Sequence, residues 1–420
     1  MKILYAVVEC NTGNHQNAKE RYVYSLALEA KSRGHKVGVI CPSSSPLFTY
    51  LTKTADTGIA VYPINVSGGA TDVLTGSWQN IKKFFILYGI LRRAKPNIVH
   101  FNCPRFGALG GIVSKIARVP KTIYTYHEWP TNKKGSWPIA RKFAAKIISH
   151  IAIIANHKII TLSKKEEKKI DKWLGAKGKV TTIQNGIKPF KSLDKDKALI
   201  ALLGFERAAE MMKQNKRILG SISSLTQNKG YTYALQGLAQ YKKFVEGDAA
   251  NGAGGGFGGA NNTIGTRGGF NYHYIIVGEG PDLHALQHVV ENLGLDEHVT
   301  FVGFIREAKE YIQAFDFLFS NIISDSTTHS TNNAYPQIIL EAGLKKVPVI
   351  ATETGAIGEI IENLETGFLI PPARPTEIKH ILHYIDEHSG LERTCAANLF
   401  KKIENGLMFE KQADKTFALY

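Results

Sequence analysis

Two doubly wound α/β domains, each a parallel sheet covered by helices, are the architecture this chain predicts. Three observations carry that prediction. The chain has 420 residues, more than one ordinary core accommodates. Apolar strand-like runs alternate with helix-like segments through the first half, which implies a parallel sheet with both faces covered. The same alternation restarts after a charged, less regular stretch at 188–213.

In the first series, residues 2–8 read as a buried strand rather than a signal peptide, since no small-residue cleavage site follows them. Residues 18–33 read as a helix that Gly34-His35 terminates. Strands follow at 36–41 and 59–64, a helix at 81–94 closed by Pro96, and a strand at 98–101. A helix at 107–117 and strands at 121–126 and 157–162 complete the series. The second series gives strands at 217–223, 273–277, 299–302, 317–320 and 347–351, with helices at 231–244, 282–293, 306–315 and 337–344. Domain boundaries of 1–190, 191–400 and a terminal helix over 401–420 follow. Residues 247–270 contain ten glycines in 24 positions and almost no aliphatic side chain, so they are expected to form a disordered surface insert.

Composition narrows the class. Hydrophobic content of 44% and charged content of 21% are those of a globular protein, and no apolar run reaches the roughly 18 residues of a membrane span. The four cysteines (Cys10, Cys41, Cys103, Cys395) show no CxxC pairing and read as reduced core residues of a cytoplasmic protein. The net charge of +16 is uneven: residues 1–190 hold 30 Lys/Arg against 9 Asp/Glu, and the remainder 22 against 27. A basic first half is expected to meet something anionic. Nucleic acid is disfavoured because no aromatic platform or recognition helix is visible. Residues 78–93 and 137–158 mix Lys and Arg with Phe and Ile, as helices lying on an anionic membrane do, although core-facing helices with solvated charges read the same way.

Several strand ends carry chemistry. Glu341 follows the apolar turn Ile338-Ile339-Leu340, and a carboxylate there can accept two hydrogen bonds from a vicinal diol. Thr354-Gly355-Ala356-Ile357-Gly358-Glu359 follows a Val-Pro-Val-Ile-Ala strand, and small residues ahead of a helix let backbone N–H groups approach phosphate oxygens. Lys229-Gly230 follows the strand at 217–223 and sets a cation at a strand end. His127 stands directly after the strand at 121–126 and is placed to face a cleft. Gly278-Glu279-Gly280-Pro281 shapes another strand exit. Asp194-Lys195-Asp196 lies in the charged linker and reads as solvated, so no metal site is evident.

Taken together, these motifs resemble the retaining glycosyltransferases of the GT-B fold, of the family 4 (group 1) type. The resemblance implies two Rossmann-like domains facing a central cleft. It implies transfer of a hexose or hexose derivative from a nucleotide diphosphate sugar to a hydroxyl of a glycan or lipid-linked glycan, without metal or other cofactor. It implies that Glu341 holds the ribose, that Gly355, Ala356 and Gly278 border the donor, and that Lys229 meets the diphosphate. It puts His127 near the reactive carbon and implies that the last helix returns to the first domain. The sequence departs from the family in three places. Ser224 stands where the family has Arg, Asn333 where it has a second Glu, and Gly13 and Asn17 lie in an acceptor loop without the usual Gly-Gly-x-Glu. Those departures leave open a catalytically impaired subunit that binds glycan or a partner enzyme. The implied location is cytoplasmic, peripheral at the inner face of the membrane.

Overall fold

The computed structural model describes residues 1–8, 18–53, 57–64, 77–127, 139–173, 175–250, 270–323 and 337–420. They form two compact units. One takes the described part of Met1–Gln184 together with Glu410–Tyr420; the other takes residues from Asn185 to Phe409.

The first unit alternates β1 (Lys2–Ala6), α1 (Ala18–Ser32), β2 (Lys36–Cys41), α2 (Pro46–Lys53), β3 (Ala60–Pro63), α3 (Ser77–Ala94) and β4 (Ile98–Phe101). It continues with α4 (Pro104–Ile116), β5 (Lys121–Tyr126), α5 (Ile139–Ala155), β6 (Lys158–Thr161), α6 (Lys164–Ile170) and β7 (Val180–Thr182). All neighbouring strands pair in parallel, in the order β3-β2-β1-β4-β5-β6-β7. Strands β1, β4 and β5 are almost wholly buried, as a sheet covered on both faces requires. Right-handed crossovers put α1 and α2 on one face and α3, α4, α5 and α6 on the other. Glycines let α4 sit close: a Cβ on Gly110 would enter the Phe101 ring, and one on Gly111 would meet Ala155 of α5.

The second unit opens with α7 (Lys195–Leu203) and α8 (Phe205–Lys213), so the charged stretch at 188–213 is largely helical. Its charges face solvent while Ala198, Leu199, Leu202, Ala208 and Met211 are buried, and Gly204 at φ +82° divides the stretch into two helices of nine residues. Then come β8 (Arg217–Ile222), α9 (Tyr231–Ala250), β9 (Tyr272–Val277), α10 (Leu283–Asn292), β10 (Val299–Gly303) and β11 (Phe317–Ser320). They are followed by α11 (Gln337–Leu344), β12 (Val349–Thr352), α12 (Ile357–Ile360), β13 (Phe368–Ile370), α13 (Pro375–Glu387) and α14 (Leu391–Gly406). The sheet is parallel, in the order β10-β9-β8-β11-β12-β13. The helix expected at 306–315 is instead a 3-10 helix over Ala308–Ala314. The expected glycine-rich insert also needs trimming. Helix α9 runs to Ala250 and Phe270 is buried against Tyr241 and Tyr272, while 251–269 lie outside the described residues.

Helix α15 (Phe409–Ala418) packs on the first unit: Asp414 pairs with Arg33 at 2.7 Å, and Phe417 lies against Arg33 and His35. Cys41, Cys103 and Cys395 are buried, and Cys10 lies outside the described residues. Among the described residues no helix is long and apolar enough to cross a membrane.

Candidate active site

In an open parallel sheet, ligands bind beyond the C-terminal strand ends where the strand order reverses. In the second unit that point lies between β8 and β11, because successive strands leave β8 first toward β9 and then toward β11. The residues just past β8 form a tight corner there. Ser223 N–H donates to Val277 O at 3.1 Å and Leu225 N–H to Glu279 O at 3.0 Å, so the β8 exit is laced to the β9 exit. On the other side, Ile323 N–H donates to Asn228 O at 3.0 Å, which ties the corner to the chain leaving β11.

Two glycines make this lacing feasible. Gly278 has φ +146°, and any Cβ on it would collide with Ser223 O. Gly230 has φ +65°, and a Cβ there would collide with Asn321 O. Both angles lie where L side chains are strained.

Lys229 ends the 3-10 turn Gln227–Lys229 inside this corner. It is half-buried, and burial lowers its ammonium pKa from the ordinary value. Among the described residues no carboxylate pairs with it. A partly desolvated cation without a counter-charge at a switch point is an anion site in waiting. Ser224 is exposed on the same corner, and the Tyr231 hydroxyl meets Ser223 Oγ at 2.7 Å. The structure therefore brings Ser224, Lys229 and Gly278 together.

Gly355 and Ala356 leave β12 beside the chain from β11, since Thr352 Oγ1 donates to Ile322 O at 2.5 Å. Gly355 has φ +54° and Ala356 is buried. The helix that follows, α12, is one turn of four residues, so a long-helix dipole is not available. What this turn offers instead is individual backbone N–H groups and Thr354, whose buried Oγ1 makes no hydrogen bond among the described residues. Glu341 is half-buried on α11, which Gly343 lets approach Leu399 and Ile403 of α14.

In the first unit the reversal lies between β1 and β4. His127, just past β5, is buried, with Tyr22 edge-on at 4.9 Å between ring centres. Asn102, just past β4, donates from Nδ2 to His100 O at 3.2 Å and so presents Oδ1 to His127 Nε2 at 3.1 Å. His127 Nε2–H must then donate, which leaves Nδ1 as the acceptor nitrogen. Burial, reinforced by Lys19 and His100, holds the His127 pKa well below its ordinary value, so the ring is neutral.

Behind it runs a chain of buried hydroxyls. Tyr5 donates to Leu26 O (3.4 Å), Tyr420 donates to Tyr5 (3.1 Å), and His100 Nδ1 meets Tyr420 at 2.7 Å. His100 Nδ1–H is thereby the donor, and Nε2 accepts from Thr125 at 2.6 Å. Burial pushes the His100 pKa down to about 3. His100 is structural, as its place on the sheet predicts.

Gly13, Asn17 and Asn333 lie outside the described residues. Sequence reading did not single out Asn102, Tyr22 or Tyr420. Asn102 had a visible signal, being two residues beyond His100 at the end of the same strand. Tyr420 had none, because its partners are more than 300 residues away in the chain.

Comparison with known proteins bears on the family and the fold. The sequence profile of Glycosyltransferase Family 4 matches residues 20–189, and that of Glycosyl transferases group 1 matches residues 205–402. The chain is a GT4-type glycosyltransferase. One relative is the Escherichia coli UDP-Gal:alpha-D-GlcNAc-diphosphoundecaprenol alpha-1,3-galactosyltransferase, 22% identical over 91% of this chain and 88% of its own length. Another is the Methanocaldococcus jannaschii glycosyltransferase MJ1607, 21% identical over 79% of this chain and 77% of its own. Among solved structures, Anabaena HepE bound to UDP superposes with a TM-score of 0.72 at 17% identity, over 100% of this chain and 99% of that one. Sucrose-phosphate synthase from Thermosynechococcus elongatus gives 0.73 at 16%, over 100% and 98%. The glycosyltransferase thus has the GT-B fold, with two Rossmann-like domains, and uses a nucleotide sugar.

Proposed function

We propose that this glycosyltransferase moves a hexose or hexose derivative, with retention of configuration, from a nucleoside diphosphate sugar to a hydroxyl of a lipid-linked glycan. The observation that carries the donor half is Lys229, a half-buried cation at the β8/β11 reversal with no acidic partner among the described residues. The acceptor half is supported by the E. coli relative, whose name gives UDP-Gal as donor and a diphosphoundecaprenol-linked sugar as acceptor.

In this reading Lys229 and the hydroxyl of Ser224 meet the diphosphate, and Gly278 keeps the floor of the corner clear. Backbone N–H groups at Gly355 and Ala356 border the sugar and phosphate, and Glu341 accepts from the ribose hydroxyls. Neutral His127, with Nδ1 as acceptor, receives a hydrogen bond from the donor sugar near the reactive carbon. Asn333 takes the position of the second family Glu and hydrogen-bonds a sugar hydroxyl. Gly13 and Asn17 belong to the acceptor side. Charge on the departing nucleotide is met by Lys229 and backbone N–H groups, so turnover needs no metal.

The test is nucleotide release from a panel of UDP- and GDP-sugars with polyprenyl-diphosphate-linked acceptors, in EDTA, with the anomeric configuration of the product read by NMR. Turnover to a product with the donor's configuration is expected. An inverted product, or dependence on added divalent cation, would overturn the corresponding part of the proposal.

A further inference from the structure

Three neighbouring helices on one face of the first sheet are free of acids, whereas α6 on the same face carries Glu166 and Glu167. Helices α3, α4 and α5 together carry nine Lys or Arg and no Asp or Glu. Helix α1, on the other face, mixes Lys19, Arg21 and Lys31 with Glu20 and Glu29. The acid-free helices also hold most of the exposed apolar surface of their unit. Phe85 and Ile86 on α3, Ile112 and Ile116 on α4, and Ile147, Ile151 and Ile154 on α5 are 36–64% exposed. Among the described residues of the first unit, Met1 is the one other large apolar side chain so exposed.

These side chains are not accidents of a loosely packed core. The same helices bury Leu87, Ile90, Val113, Ala152 and Ile153 inward, so the exposed set lies on outer surfaces with nothing left to cover. On α5 the positions 147, 151 and 154 repeat at i, i+4 and i+7, one stripe of an α-helix. Lys115 bridges α4 to α5 by donating to Ile154 O at 3.4 Å, which sets a cation between the two apolar groups. Exposed Lys82, Arg92, Arg93 and Lys146 lie on the same helices, and exposed Arg118 lies just past α4.

We infer that this outer face of α3, α4 and α5 is a docking surface for an anionic lipid bilayer. Exposed apolar side chains on helices that carry cations and no acid suit the boundary between headgroups and acyl chains. Nucleic acid would use the cations and leave the isoleucines in water; a bilayer uses both. The inference deepens the reading of a lipid-linked acceptor by seating the enzyme where such an acceptor is held. It is measured without donor or acceptor, so its failure leaves the transfer reaction standing.

The experiment is sedimentation of the full chain with vesicles of phosphatidylcholine plus phosphatidylglycerol, and with phosphatidylcholine alone. Binding to the anionic vesicles that falls with added salt is expected, and weak binding to the neutral ones. Ile147→Asp/Ile151→Asp should weaken that binding by about tenfold or more. Circular dichroism and gel filtration verify that this variant is folded; both substituted side chains are exposed in the wild type. As a second variant, Lys82→Glu/Arg93→Glu should weaken binding to anionic vesicles alone. Equal binding to neutral vesicles, no binding to either, or unchanged binding by folded variants would each overturn the inference. So would concentration-dependent dimerisation abolished by Ile147→Asp/Ile151→Asp, which would make the face an interface between copies.

Discussion

Replacing Lys229 by alanine should separate donor binding from fold stability. In the free protein Lys229 is half-buried, has no carboxylate partner among the described residues, and has its pKa lowered by burial. Its desolvation is therefore a cost that the apo fold carries without a compensating ion pair. Removing it should leave the apo unfolding midpoint unchanged or slightly higher. In the donor complex proposed above, the ammonium makes a charge-assisted hydrogen bond to a phosphate oxygen, worth roughly 1.5–3 kcal/mol. Its loss should weaken UDP by about 10- to 150-fold in Kd. Uridine, which has no phosphate, should bind both proteins equally. Calorimetric titration with UDP and uridine, beside thermal unfolding without ligand, reads all three quantities. A UDP affinity within twofold of wild type would refute the reasoning, as would an equal loss for uridine or a clear fall in apo stability.

Other residues give equally direct expectations. Gly278→Ala puts a Cβ onto Ser223 O at a φ of +146°, so urea unfolding of the second unit should lose roughly 1–3 kcal/mol. Tyr420→Phe removes the hydroxyl between His100 and Tyr5 and strands a buried His100 Nδ1–H, which should cost about 1–3 kcal/mol by urea unfolding. Asn102→Asp sets a carboxylate against His127 Nε2–H and raises the imidazole pKa; because turnover uses neutral His127, the acid limb of the kcat/KM profile should move to higher pH. Burial also pushes the pKa of His100 and of His273 down to about 3. The unfolded chain then takes up protons below about pH 6.5 that the folded protein refuses, so stability present above that pH is lost as pH falls toward 3. Each histidine should lose about 2 kcal/mol between pH 6.5 and 5, one in each unit, and urea unfolding at the two pH values measures it.

The fold was legible because its signals are local. Apolar runs of strand length alternating with amphipathic segments define parallel α/β layers wherever they occur, and the restart of that alternation marked the second unit. The 188–213 stretch was misread for the converse reason: Gly204, at φ +82°, divides it into α7 and α8 of nine residues each, too short for an amphipathic repeat to stand out. The 3-10 helix at Ala308–Ala314 likewise shows the apolar spacing of an α-helix, and the difference is one of hydrogen-bond register that residue types do not encode.

Residue types alone determined which positions could carry chemistry. A lysine after a strand, a histidine at a strand end and a glycine at a strand exit are meaningful before any coordinates are known. The tertiary structure decided what those positions are. Lys229 is held in a corner because the β8, β9 and β11 exits are laced around it, and no acid among the described residues pairs with it. His127 becomes an acceptor at Nδ1 because Asn102, from a different strand, fixes the proton on Nε2. Tyr420 becomes part of the core of the first unit because α15 brings it to His100. Charge state, tautomer and hydrogen-bond direction depend on what is within a few ångströms in space, and the order of residues along a chain of 420 does not contain that distance.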